Sequence, residues 1–214
     1  MPDKSLSKPI PRKELILERA EWHFAEHGFQ GASLSAIARD CEVGNPGLLH
    51  HFPSKQALYG AVLERHADEL AAHMRQWADD EARETRHLRA RLLTFVTLQV
   101  EWMHARPAGA KLLLREMMDN AERIQRAQIR PLEGSLRASL ALIEEAQAAG
   151  VMRRELSATV ILTIILGTLN YAKIARPTFS MAFPEPALKS DPAWMTMVAR
   201  DVLSVVTVDG ALSE

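Results

Sequence analysis

Between Ser33 and Leu58 the chain reads SLSAIARDCEVGNPGLLHHFPSKQAL, and its polar side chains are of the kinds that bind nucleic acid. Asn45 carries an amide that can bond adenine bidentately in a major groove, and His50 and His51 can donate to a base or a phosphate. Lys55 supplies an ammonium for a phosphate. Ser54 before it can cap a helix whose unpaired N-terminal amides face the same anion. No Ser/His/Asp order, glycine-rich phosphate loop, HExxH motif or Cys/His metal spacing appears, so neither an enzyme nor a cofactor or metal site is expected. His23 and His27 lie one helical turn apart, but no set of Cys or carboxylate partners completes a metal site, and packing or surface roles are expected for both.

Two short helices are needed to present these groups. Ser33 stands at an N-cap, and Leu34, Ile37, Ala38 and Cys41 follow at helical spacing. Glu42-Val43-Gly44 makes a turn, and Asn45-Pro46 opens a second helix with proline early, where its missing N–H costs nothing. Ile37, Ala38, Val43 and Leu48 must then meet in one small core, with only a methyl group at the crossing. Asn45, Pro46, Gly47, His50 and His51 are left on the outer side of this helix-turn-helix.

At these residues the chain resembles the TetR family of bacterial repressors, whose DNA-binding segment reads close to T-x-x-x-I-A-x-x-A-G-V-S-x-G-x-L-Y-x-H-F-x-S-K-x-x-L. Ser33, Ile37, Ala38, Val43, Leu48, His51, Phe52, Ser54, Lys55 and Leu58 match, with the spacing intact. Cys41 and Glu42 replace Ala-Gly, Gly44 replaces Ser, Pro46 replaces Gly and Leu49 replaces Tyr. Glu42 falls where a turn often needs positive φ, at a cost of roughly 1 kcal/mol. The resemblance implies a phosphate contact at the tyrosine position, for which His50 is the candidate substitute. Cys41 sits at a packed alanine position, so a buried, inert thiol is expected.

Around this unit the pattern is helical throughout. Ile16, Ala20 and Phe24 mark a first helix from Arg12 to Gly28, after an arm that Pro2, Pro9 and Pro11 keep from coiling. A fourth helix starts at Ser54-Lys55 and runs toward Trp77, with His66 and His73 expected at its surface. A charge-dense stretch covers 79–91, and Leu92, Phe95, Val96, Val100 and Met103 stripe a fifth helix that stops at Arg106-Pro107. A short helix follows over Ala110–Met118. The next runs from Ala121 to Gly150, with a break at Pro131 and Leu136, Leu140 and Ile143 facing inward. The eighth, capped by Ser157, is apolar almost all round and should end at Arg176-Pro177. An irregular connection leads to a ninth, with Asp191 as N-cap and Pro192 next. The fold class expected is all-α with about nine helices: an arm and three-helix DNA-binding domain over 1–56, and a larger regulatory domain over 57–214.

At 214 residues, 47% hydrophobic and 25% charged, the chain can bury a real core. Its one cysteine fits a reducing cytoplasm, and no signal peptide or membrane span is expected. Net charge is −1, and residues 1–55 hold seven Lys/Arg against seven Asp/Glu, so any DNA attraction depends on where the charges stand.

A single short recognition helix reads too few bases for adequate specificity, which a dimer on two half-sites remedies. TetR resemblance implies a homodimer through the last two long helices, at about 157–176 and 192–208, and a pocket for a small apolar or amphipathic effector that releases the protein from its operator. Phe95, Met103, Met117, Met118, Tyr171 and Phe179 could line it, with Trp102, His104 and Asn170 as polar handles. Each also fits an ordinary core position. The alternative to a ligand-responsive repressor is an α-helical protein-interaction module whose helix-turn-helix is only structural.

Overall fold

The computed structural model describes residues 11–75, 85–119 and 133–208, apart from the side chains of residues 73–75, 85–87, 117 and 119. The expected arm over 1–10, Trp77, the charged stretch up to residue 84, the Pro131 break and the tail beyond Val208 lie outside the described residues. Among those described are nine α-helices: α1 (Arg12–Gly31), α2 (Leu34–Asp40), α3 (Asn45–His51), α4 (Lys55–Arg75), α5 (Thr85–Ala105), α6 (Pro107–Asp119), α7 (Glu133–Ala148), α8 (Ala158–Ala182) and α9 (Asp191–Val206). A 3-10 turn, Pro186–Lys189, precedes α9.

The chain divides into two compact units. One holds α1, α2, α3, α4 up to His66, and α6 from Ala108. The other holds α4 from Ala67, α5, α7, α8 and α9.

In the first unit α1 buries Ile16, Ala20 and Phe24, and Gly28 breaks it at φ 68, a conformation costly for any residue with a Cβ. The Phe24 ring meets Tyr59 of α4 edge-on at 4.8 Å. Ile37, Ala38, Leu48, Phe52, Leu58 and Val62 complete this core. His66 departs from expectation. It is fully buried, because Glu21 of α1 and the backbone of α6 close over it.

In the second unit α9 packs on α8 and α5, and α7 packs on α8. Several boundaries differ from the sequence reading. Pro107 begins α6 instead of separating it from α5, since proline at a first helical position loses no hydrogen bond. The inward face of α7 is Ser135, Ser139, Leu142, Ile143 and Ala146, while Leu136 is exposed; the buried Ser139 hydroxyl donates to the Ser135 carbonyl at 2.8 Å and so stays satisfied. Ser190, not Asp191, caps α9, its Oγ accepting from the Ala193 amide.

The largest difference is that α8 continues through Pro177 to Ala182. Packing overrides the local signal there. Phe179 stacks edge-on against Phe183 and Trp194, and Lys173 and Arg176 are tied to Asp191 of α9. By length and apolarity alone, α8 is one helix that could cross a membrane. Its buried side, however, is Ile161, Leu162, Ile165, Leu169, Ala172 and Ala175, packed on α7 and α9.

Candidate nucleic-acid interface

The helix-turn-helix forms as its caps and turn dictate. Ser33 Oγ accepts from the Ala36 amide at 3.4 Å to start α2, and Val43 N–H closes the turn on the Ala38 carbonyl at 2.9 Å. Ala38 is buried where α2 and α3 cross, and Leu48 pins α3 from beneath. Between them Glu42 has φ 54, the one described residue besides glycine in the left-handed region. A Cβ there costs about 1 kcal/mol. Glu42→Gly should therefore raise unfolding free energy by roughly 0.5–1 kcal/mol, readable as a shifted urea midpoint with an unchanged m-value.

Asn45, Pro46, Gly47, His50 and His51 all stand exposed on α3. The two histidine rings meet edge-on at 5.5 Å, and Leu49 beside them is exposed too. Asn45 Nδ2 donates to Ser35 Oγ of α2 at 2.9 Å. That contact holds the amide at the mouth of the two helices and uses one of its two N–H bonds. The second N–H and Oδ1 keep the donor–acceptor pair that an adenine edge requires. Ser35 is a residue the sequence reading missed, since a hydroxyl ten positions away carries no periodic signal.

Ser54 Oγ accepts from the Ala57 amide at 3.0 Å, capping α4 as expected. Lys55 then sits in its first turn, donating to the Gln30 carbonyl at 3.1 Å with its ammonium 4.9 Å from the Phe29 ring center. Both contacts fix the cation beside the α4 N-terminus, where amides and ammonium together suit a phosphate. Cys41 is buried, and burial pushes its thiol up from the ordinary value, against thiolate chemistry.

The residues named for an effector pocket take different places. Phe95, Trp102 and Met103 of α5 are buried. His104 Nδ1 faces the Val100 carbonyl at 2.9 Å and Nε2 lies 2.6 Å from the Asp191 carboxylate. Asn170 donates to the Leu166 carbonyl one turn back, and Phe179 is half-buried beside Tyr171, which is itself 64% exposed. Met118 is 68% exposed on α6, and the Met117 side chain is outside the described residues. Phe95, Trp102, Met103 and His104 share one helix, and His104 is joined through Asp191 to α9.

The family model for bacterial regulatory proteins of the tetR family matches residues 16–62, and that for the tetracyclin repressor-like C-terminal domain matches residues 89–206. The HTH-type transcriptional regulator RutR of Escherichia coli K12 is 33% identical over 110 residues, 51% of this chain and 50% of RutR. The match thus spans about half the length of that relative. Among solved structures, the ketosteroid transcriptional regulator KstR2 of Mycobacterium tuberculosis superposes with a TM-score of 0.68 at 20% identity, over 94% of this chain and 98% of that one. The fatty acid degradation regulator FadR from Bacillus halodurans gives 0.66 at 20% identity, over 93% and 96%. At that identity the likeness is one of fold.

Proposed function

Because the chain belongs to the tetR family of bacterial regulatory proteins, we propose that it is a cytoplasmic repressor that binds a palindromic operator as a homodimer and is released by a small effector. It is a transcriptional regulator and not an enzyme. The observation that carries the DNA-reading assignment is the outward face of α3, where Asn45, Gly47, His50 and His51 stand exposed beside the capped N-terminus of α4. Residues 1–56 read DNA in this proposal, and residues 57–214 bind the effector and dimerise.

Support for the homodimer comes from α8. Val160, Ile164, Gly167, Tyr171, Ile174, Thr178 and Met181 recur at alternating steps of four and three, forming one stripe on a 25-residue helix. None of them is buried within the chain. An apolar stripe with this spacing is the seam of a pair of helices. A Cβ on Gly167 would meet nothing within 4 Å in the same chain, so the glycine, which costs helix stability, leaves room at mid-seam for a close neighbor. The effector proposed is apolar or amphipathic, with Phe95, Trp102, Met103 and His104 of α5 as its candidate contacts.

The test is to select genomic DNA fragments with the purified protein and search the enriched sequences for an inverted repeat. On the selected operator, Lys55→Ala should weaken binding to specific and random DNA alike and lower the salt slope by about one. Asn45→Ala should instead relax preference at one base pair per half-site, narrowing discrimination by about 1–3 kcal/mol. A folded protein that enriches no repeat, or an Asn45→Ala, His50→Ala variant with unchanged sequence preference, would favor the interaction-module reading.

A further inference from the structure

His66 is the fully buried charged-type side chain at the center of the first unit, and its surroundings come from three helices. Its Nε2 stands 3.3 Å from Oε2 of Glu21 on α1, and the neighboring Arg65 binds that carboxylate and, at 2.7 Å, Glu14 of the same helix. Burial acts to raise the Glu21 carboxyl, but the His66 bond with the His66 and Arg65 charges outweighs it, and the group is held below the usual carboxylate range. On the other side is Gly109, in the first turn of α6. A Cβ placed there would lie 2.6 Å from Nδ1, 2.8 Å from Cε1 and 2.9 Å from Cγ of the imidazole. Such distances cannot be occupied, so α6 rests on the ring by bare backbone.

Two residues along α1 from Glu21, and so on another face of the helix, His23 Nε2 meets Asp40 at the end of α2, 2.7 Å away. The body of α1 thus lies between two contacts, His66 on Glu21 from the α4 and α6 side and Asp40 of the helix-turn-helix on His23. Two outer contacts keep α6 in place, Tyr59 Oη to Glu116 at 2.8 Å and Lys111 to Glu26 at 2.9 Å.

We propose that His66 is a positioning residue for DNA binding, a spacer between α6 and α1 that sets where the helix-turn-helix is held, and that Gly109 exists to admit its ring. The DNA-binding consequence rests on the repressor reading; the spacing itself does not. Gly109→Ala forces the imidazole toward Glu21 and so displaces α1. His66→Gln keeps an N–H donor near the Nε2 position on a slimmer, pliable side chain, which can yield to the added methyl.

Hydrogen exchange on the full chain without DNA reads the spacing directly. Gly109→Ala should speed amide exchange across residues 16–25 and 34–40 by about tenfold or more, and His66→Gln with Gly109→Ala should return it to within about threefold of wild type. Operator affinity should follow the same pattern, while the thermal midpoint of the double variant stays below wild type. That split separates positioning from plain stability. Wild-type exchange in Gly109→Ala, or no relief from glutamine, would overturn the proposal. If Gly109→Ala does not fold, His66→Ala takes its place, and unchanged exchange in α1 would overturn it equally. A wild-type protein that selects no operator would sink the repressor reading and leave the exchange result to decide the spacer.

Discussion

Ile174→Asp should leave the protein folded and monomeric, and should cost operator affinity about 100-fold or more. Ile174 lies in the middle of the α8 stripe and is 56% exposed in the single chain, so an aspartate there disturbs little within one protomer. Surface changes of that kind stay within about 0.5 kcal/mol of wild type. In a paired seam the same carboxylate would be buried in a dry apolar interface on both protomers, and the desolvation, incurred twice by symmetry, opposes association. Loss of the dimer removes the effective concentration that brings the second recognition helix to its half-site. Sedimentation velocity and operator titration on one sample check both parts. A dimer that persists with unchanged affinity would mean that α8 is not the seam. Gly167→Leu makes the complementary test, since it keeps charge constant and opposes close approach only.

How much of this was legible in the sequence depends on the range of the interactions. In the helix-turn-helix, caps, turn and core all lie within some 26 residues. Ser33, Ala38, Leu48 and Ser54 therefore announced their roles through spacing, and the TetR resemblance marked Glu42 for the positive φ it adopts. Gly150 follows α7 as a glycine stop should, and Gly28 takes the positive φ of such a stop, although α1 resumes beyond it to Gly31. What failed were positions governed by partners far along the chain. Pro177 reads as a terminator until contacts from farther along the chain hold the helix on both sides of it, Asp191 on Lys173 and Arg176 before it and Trp194 on Phe179 after it. His66 reads as surface until Glu21 and Gly109 are seen around it.

The candidate site shows the same limit. The exposed face of α3 follows from periodicity, but the Asn45–Ser35 bond and the seat of Lys55 on Phe29 and Gln30 do not. Composition could not help either, because the head is charge-balanced and its few cations act by placement. For the effector region, Met and aromatic residues at helical spacing have the same signature in a core as in a pocket. Tyr171 illustrates the difficulty: its position suits a pocket by type, yet its ring stands on the exposed α8 stripe beside Ile174.

Asp191→Asn should lower unfolding free energy by about 2 kcal/mol at neutral pH, the largest stability change expected of a single polar substitution here. The Asp191 carboxylate binds Lys173, Arg176 Nε at 3.0 Å and His104 Nε2 at 2.6 Å, joining α9 to α8 and α5. Its side chain is 22% exposed and those of Lys173 and Arg176 are 27%, so solvent softens the loss without cancelling it. Asparagine removes the one anion and leaves the cations crowded together. The midpoint should fall by about 4–8 °C for a chain of this size. Burial acts to raise the Asp191 carboxyl, and the Lys173 hydrogen bond with the Lys173, His104 and Arg176 charges outweighs it, holding the group below its usual 3.8. With the folded value the lower one, the unfolded chain binds more protons between the two. The stabilisation is therefore complete above pH of about 4 and is lost as pH falls through the folded value. Wild type and Asp191→Asn should accordingly converge in stability as acid is added below pH of about 4, and stay apart at neutrality. Urea titrations at neutral pH and near pH 3 read that difference; equal gaps at both would show that the three helices are not held by this carboxylate's charge.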